Sequence, residues 1–206
     1  MNLIPIYSIP IWQTEYPEFE EQKDIILDAC KRYRQENPES NRKSNVGGYQ
    51  SPKFLHSKEE LAPLFNYIAA LANYASKDLN FVNIDVFITN SWVNYNDSRQ
   101  AMNAQHVHGD VFSGVFYLKV PKESGKLCIT NSGINLMWLG CNLTDEKNEF
   151  TAESVKIEPE EGQIIIWPSY IPHSVETNNH DEERISISFN IIALPKGSIE
   201  YPQSET

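Results

Sequence analysis

Residues 105–119, QHVHGDVFSGVFYLK, place two histidines and an aspartate at alternate positions at the front of a strand-like run. Successive side chains of an extended chain point to opposite faces, so His106, His108 and Asp110 would project from the same face of a sheet. Imidazole and carboxylate groups bind metal ions, but two ligands at this spacing cannot hold an open site alone. The best candidate for another ligand is His173 in WPSYIPHSVE, because the chain has only five histidines and three lie in these two stretches.

Short β-rich runs surround this segment from residue 81 onward. Turn-forming clusters such as YNDSRQ, PKESGK and ETNNHDEE separate them, and the runs are FVNIDVFITNSWVNY, VFSGVFYLKV, KLCIT, NLMWL, SVKIEP, GQIIIWP and RISISFNIIAL. Successive strands without intervening helices predict an antiparallel double sheet or jelly-roll barrel. Because a barrel brings distant strands together, ligands from two strands could converge on one metal ion.

Helical patterns precede the strands. Residues 19–33 and 58–77 carry apolar residues at helical spacing, and Ser57 followed by Glu60 has the form of a capping box for the second helix. An amphipathic helix must cover its apolar stripe, so we expect both helices to pack on one sheet. The glycine- and serine-rich residues 38–56 predict a loop that could line a site.

The chain is expected to form a single domain over residues 1–206. Residues 1–80 would supply an N-terminal arm and the helices, residues 81–195 the barrel, and residues 196–206 a loosely ordered tail. Within the arm, residues 3–13 are apolar but interrupted by two prolines, which is typical of an edge strand or an extended arm.

The net charge of -11 and the pI near 4.9 argue against a nucleic-acid or anionic-membrane partner, since both require a positive surface. Cys30, Cys128 and Cys141 are odd in number and lack CxxC spacing, so we expect a reducing, cytoplasmic setting. The first residues lack a basic region followed by a long apolar run, so we do not expect secretion, and no run of membrane-spanning length appears. The sequence has no Walker loop, GxSxG or HExxH motif.

At this point the residues resemble a known family. GQIIIWPSYIPHSVETNNHDEERISISFNI resembles the C-terminal half of a 2-oxoglutarate and Fe(II)-dependent oxygenase, with the distal metal histidine at His173 and, eleven residues on, an arginine at Arg184. HVHGDVFSGVFYLKVPKESGKL is similar to the ligand strand of an oxygenase family with HxH before SGVYYL. The resemblance covers about residues 83–193, and GGYQS near residue 47 fits the same family.

The resemblance implies a double-stranded β-helix that binds Fe(II), O2 and the co-substrate 2-oxoglutarate. Arg184 would pair with the far carboxylate of 2-oxoglutarate, as guanidinium matches carboxylate bidentately, and Ser186 would add a hydroxyl donor. Asn94 and Tyr117 are further candidates for binding the co-substrate. The implied activity is hydroxylation with release of succinate and CO2.

Two ligand sets are open. His108 and Asp110 with His173 would give two histidines and one carboxylate, which leaves three positions of Fe(II) for substrate and O2. His106 and His108 with His173 would give a three-histidine site. A carboxylate suits the hard Fe(II) ion and favours the first set. Asp110 lies only three residues before the SGVFYL strand, where a turn is expected, and this favours the second set. The remaining residue would hydrogen-bond a ligand or the substrate.

Periodicity alone favours a plainer interpretation of the Arg184 strand. Arg184, Ser186, Ser188 and Asn190 alternate with apolar residues and would form a solvated strand face. Two other functions also stay open: a three-histidine dioxygenase that needs no 2-oxoglutarate, and a cupin-like binding module without turnover. Protein, peptide and small-molecule primary substrates are all compatible with the sequence.

Overall fold

The computed structural model describes residues 8–41, 43–97, 101–131 and 151–198. Within them the helices are α1 (Phe19–Glu36) and α2 (Ala62–Asp78). The strands are β1 (Trp12–Glu15), β2 (Asn45–Val46), β3 (Tyr49–Gln50), β4 (Ile84–Asn96), β5 (Met102–His106), β6 (Phe112–Lys119), β7 (Leu127–Thr130), β8 (Ser154–Ile157), β9 (Gln163–Pro168), β10 (His173–Val175) and β11 (Arg184–Pro195).

The strands form two antiparallel sheets. The major sheet has six strands in the order β1-β9-β6-β11-β4-β3, and the minor sheet has five in the order β2-β5-β10-β7-β8. Neighbours in both sheets are distant in sequence, which is typical of a jelly roll and not of a chain of hairpins. The predicted mainly β fold with two antiparallel sheets is confirmed.

Strand alternation sorts the core into two layers. Phe116 on β6 and Ile187 on β11 face α1 and α2, whose buried residues include Ile26 and Ile68. The intervening residues of the same strands point the other way, so Tyr117 joins a second apolar cluster between the two sheets. The major sheet therefore has helices on one face and the minor sheet on the other, as the amphipathic helices required.

The start of the second helix differs from the prediction. α2 begins at Ala62, with a proline at its first turn, and two short 3-10 turns precede it. The Ser57 hydroxyl donates to the Phe54 carbonyl at 2.7 Å instead of capping a helix, so the predicted capping box is wrong. A helix starting at residue 58 would place Pro63 in its interior, where proline has no N–H to donate and its ring clashes with the carbonyl four residues earlier, so the helix starts at Ala62.

The N-terminal segment contributes β1, which lies at the edge of the major sheet beside β9, close to the proline-interrupted stretch where an edge strand was predicted. The predicted loop at residues 38–56 contains the short strands β2 and β3. Parts of the arm and tail, the NLMWL run and Cys141 lie outside the described residues. None of the helices in the described ranges combines the length and apolar character that crossing a membrane requires.

Gly114 on β6 gives a stability prediction. A Cβ there would overlap the Phe189 ring and lie 2.8 Å from the Ile165 carbonyl oxygen. We expect Gly114→Ala to lower the free energy of unfolding by about 1–3 kcal/mol, since a packed core does not accept extra volume. Urea denaturation would measure it, with Gly109→Ala as the control because an added Cβ there meets no described atom within 4 Å. Equal stability of the two variants would contradict the packing argument.

Candidate functional site

Pairing within the minor sheet brings two of the candidate histidines together. His106 is the last residue of β5 and His173 the first of β10, and the two are direct antiparallel partners. His108 follows β5 by two residues, and its backbone N–H donates to the Ser169 carbonyl beyond the end of β9. Residues far apart in sequence therefore present three imidazoles at one end of the minor sheet.

The three imidazoles form a compact cluster. One ring nitrogen from each of His106, His108 and His173 lies within 4.8 Å of the other two. The ring centroids are 4.3 Å apart for His106 and His173, and 4.9 Å apart for His106 and His108. Converging nitrogens of this kind are the donor set for a transition metal such as Fe(II).

Backbone contacts orient two of these rings. Nδ1 of His106 lies 2.7 Å from the Ala104 carbonyl oxygen, and Nδ1 of His173 lies 3.0 Å from that of Ile171. When Nδ1 donates to a carbonyl, the lone pair remains on Nε2, which is the arrangement that orients metal-binding histidines.

Burial also keeps the cluster in its metal-binding protonation state. Burial, with a smaller contribution from His106, lowers the pKa of His173 to about 3 and that of His108 to about 4. Burial lowers the pKa of His106 as well. The rings are therefore neutral at pH 7 and can donate lone pairs.

Asp110 lies outside this cluster. Its Oδ1 accepts a 2.7 Å hydrogen bond from the Thr89 hydroxyl of β4. The expected alternation does not reach Asp110, because β5 ends at His106 and residues 107–111 cross from the minor sheet to the major sheet. Asp110 is still near enough for its charge to raise the pKa of His108, in opposition to burial.

The other candidate residues share one cavity with the histidines. This inner cavity lies between the two sheets, and Asp110 is the only predicted site residue that does not line it. The predicted residues in its wall are Asn94, His106, His108, Tyr117, His173, Arg184 and Ser186. The polar face of β11 thus points into the molecule, and its interpretation as a solvated face is wrong, because Arg184, Ser186 and Asn190 are all buried.

Arg184 is the most unusual residue of the inner cavity. It is only 1% exposed, and its Nη1 donates to the carbonyls of Ser124 and Gly125, both at 2.9 Å. Its Nε has no hydrogen-bond partner, and no carboxylate among the described residues pairs with it. Burial lowers the pKa of Arg184, but guanidinium stays charged in proteins. A buried charge without a counter-ion is costly unless a ligand supplies one.

Two further polar groups lie in the same wall. The Asn94 amide donates to the Ser188 hydroxyl at 3.0 Å, while its Oδ1 is buried without a hydrogen-bond partner in the described part of the chain. Tyr117 is almost fully buried, and burial raises its pKa to about 12, so its phenol is neutral and can donate a hydrogen bond. Groups for binding a polar ligand therefore lie beside Arg184.

The structure adds residues that sequence reasoning missed. Asn190 lies 3.3 Å from Nδ1 of His108 through its side-chain amide nitrogen, and its Oδ1 accepts from the Ser113 hydroxyl at 2.8 Å. Trp92 on β4 packs its ring 5.9 Å from that of His108. Asn190 lies on the same face of β11 as Arg184, and Trp92 lies on the same face of β4 as Asn94. The alternation along these strands was therefore the sequence signal that could have identified both residues.

Residues 90–190 match the model of a family described as "Putative 2OG-Fe(II) oxygenase". The matched segment contains every candidate site residue named above, which confirms the resemblance found in the sequence. No curated protein sequence matches the chain.

Solved structures share the fold. The epimerase SnoN in complex with Fe3+, alpha ketoglutarate and nogalamycin RO aligns with a TM-score of 0.66 and 17% identity, over 96% of this chain and 88% of that chain. A Pseudomonas putida prolyl-4-hydroxylase aligns with a TM-score of 0.60 and 16% identity, over 89% of this chain and 93% of that chain. A Trichoplax adhaerens prolyl hydroxylase bound to a hypoxia inducible factor peptide fragment aligns with a TM-score of 0.59 and 13% identity, over 88% of this chain and 83% of that chain. These likenesses confirm the double-stranded β-helix.

Proposed function

We propose that this chain, a member of the 2-oxoglutarate and Fe(II)-dependent oxygenase superfamily through residues 90–190, uses Fe(II), 2-oxoglutarate and O2 to hydroxylate a substrate. The observation that carries the proposal is the inner cavity, which joins three metal-binding imidazoles to the buried, uncompensated charge of Arg184. One end of this cavity suits a cation and the other an anion. A metal ion at the imidazoles, chelated by a dicarboxylate whose other carboxylate reaches Arg184, satisfies both ends.

His106, His108 and His173 would hold the iron ion. Three neutral imidazoles add no negative charge, so Fe(II) keeps its full attraction for the dianionic co-substrate. Asp110 would act from outside the ligand set, as an acceptor that fixes Thr89 and favours positive charge near His108.

Arg184 would bind the far carboxylate of 2-oxoglutarate through charge-assisted hydrogen bonds, with Ser186, Tyr117 and Asn94 as neighbouring polar contacts. Iron and 2-oxoglutarate together would supply the oxidising chemistry, in which reduction of O2 and loss of CO2 yield succinate and deliver one oxygen atom to a substrate C–H bond. The chain's own part is to position these groups and to exclude water. Val115, Leu127 and Trp167 give the inner cavity its apolar wall.

The histidine cluster also favours a second candidate. A three-histidine dioxygenase would bind its substrate directly and need no 2-oxoglutarate, and the exclusion of Asp110 from the cluster fits that donor set. The two candidates give Arg184 different roles. In the first, its buried charge pairs with the far carboxylate of 2-oxoglutarate, whereas in the second it has no co-substrate to pair with.

The experiment that tests the proposal is an anaerobic titration of the metal-free protein with Fe(II) and then 2-oxoglutarate. We expect a visible metal-to-ligand charge-transfer band, which requires the 2-oxo acid to chelate iron at one site. Iron binding without the band would reject 2-oxoglutarate dependence and favour the three-histidine dioxygenase. Failure to bind iron at all would reject both.

A further inference from the structure

A second cavity lies against the outside of the histidine cluster. This outer cavity has a volume of about 370 Å³, within the range of small-molecule sites. It shares Ser44, Trp92, His106 and His108 with the inner cavity. Arg184 belongs only to the inner cavity, so the outer cavity approaches the histidines from a different side. A molecule in the outer cavity would reach the metal ligands without displacing the co-substrate.

The charge of the outer cavity opposes that of the whole chain. The chain carries a net charge of -11, yet the described residues lining this cavity include Lys43 and Lys53 and no aspartate or glutamate. Several other lysines pair with carboxylates, as Lys58 does with Glu36 at 2.8 Å. Lys43 and Lys53 have no such partner in the described part of the chain. Two ammonium groups without a carboxylate partner among the described residues therefore line one cavity.

The walls of the outer cavity are divided by polarity. Lys53 is half-buried, with Nζ 5.9 Å from the centre of the Trp92 ring, so the loop between β3 and α2 holds this charge close to the site. Val107 is 54% exposed and lines the same cavity between the two histidines, which adds apolar surface beside them. A ligand with an anionic group and an apolar body fits this division.

We propose that the outer cavity binds the primary substrate, a small molecule whose carboxylate or phosphate group contacts Lys43 and Lys53 while its apolar part lies at Val107 and Trp92. This inference rests on the proposed function, since it takes the histidine cluster as the site of reaction. The lysines anchor one end of the substrate and thereby determine which carbon atom lies beside His106 and His108. Substrates without the anionic group lose that anchor.

The test uses the anaerobic protein saturated with Fe(II) and 2-oxoglutarate, so that Arg184 is already occupied. Calorimetric titrations compare phenyl phosphate, benzoate and the neutral benzyl alcohol. We expect at least one anion to bind more tightly than benzyl alcohol, and the Lys43→Gln/Lys53→Gln double variant to weaken that binding about tenfold. The preferred anion identifies the group. The control is Lys77→Gln, which removes one positive charge on α2 outside both cavities and should leave binding unchanged.

Several outcomes would overturn the inference. One is binding of benzyl alcohol as tight as that of either anion. Another is binding of the anion by the double variant as tight as by the parent, as expected if iron alone captures the anion. The charge-transfer band of the same samples separates the two proposals. Anion binding that fails while the band is present rejects the lysine-lined substrate site alone, whereas absence of the band rejects the proposed function and this inference with it.

Discussion

Replacing His173 with alanine is expected to abolish Fe(II) binding, with a loss of affinity beyond about 100-fold. His173 and His106 are cross-strand partners, and the cluster needs all three imidazoles to converge. Substitution of residues that only hydrogen-bond metal ligands lowers metal affinity about 10–100-fold, so removal of a ligand itself should lower it further. Anaerobic titration of the metal-free protein measures the affinity. His180→Ala is the matched control, since His180 lies outside both cavities.

A second pair of variants determines the donor set. His106→Ala should lose iron as His173→Ala does, because its ring lies within the cluster. Asp110→Asn should retain iron, since an asparagine oxygen can still accept the hydrogen bond from Thr89. The reverse result, with iron lost only in Asp110→Asn, would establish the set of two histidines and one carboxylate. Normal iron binding by His173→Ala would show that the metal site lies elsewhere.

The contrast between Asp110 and His108 shows where sequence reasoning stopped. Alternation predicts one face for His106, His108 and Asp110 only while the chain stays in one sheet. Around these residues the backbone changes partners: Ala104 N–H donates to the Ser44 carbonyl beside the minor sheet, whereas Val111 N–H donates to Ile191 in the major sheet. Gly109 is the one sign of this crossing in the sequence, and a single glycine does not say which way the next side chain turns.

Alternation was correct along β11, but it left the environment of the polar face undetermined. The period of two over residues 184–191 correctly separated polar from apolar residues, and the apolar ones do pack toward the helices. Periodicity could not say whether the polar face meets water or a cavity, since both environments accept the same residues. The family resemblance supplied that information, and the position of Arg184 between the sheets agrees with it.

Replacing Arg184 with methionine is expected to spare iron binding and to weaken 2-oxoglutarate binding by about 100-fold. A charge-assisted hydrogen bond contributes about 1.5–3 kcal/mol, and methionine cannot make one. The loss corresponds to about 2.7 kcal/mol. The intensity of the charge-transfer band as a function of 2-oxoglutarate concentration measures it at constant Fe(II).

Arg34→Met provides the matched control for this variant. Arg34 packs its guanidinium over the Tyr95 ring at 4.4 Å and pairs with Glu183, away from the inner cavity. The same substitution there should leave the co-substrate affinity unchanged. A small effect of Arg184→Met on 2-oxoglutarate binding would mean that another group holds the carboxylate.

The stability of the Arg184 variant separates a binding role from a purely structural one. Methionine in place of Arg184 leaves the buried Ser124 and Gly125 carbonyls without their donor, which costs about 1–3 kcal/mol for each. Removal of the guanidinium also relieves the cost of burying a charge that has no counter-ion among the described residues, and that relief offsets much of the loss. We therefore expect stability close to that of the parent protein in the absence of 2-oxoglutarate. Fe(II) should stabilise both proteins, whereas 2-oxoglutarate at a concentration that saturates only the parent should add stability to the parent alone, because its buried arginine then has its counter-ion.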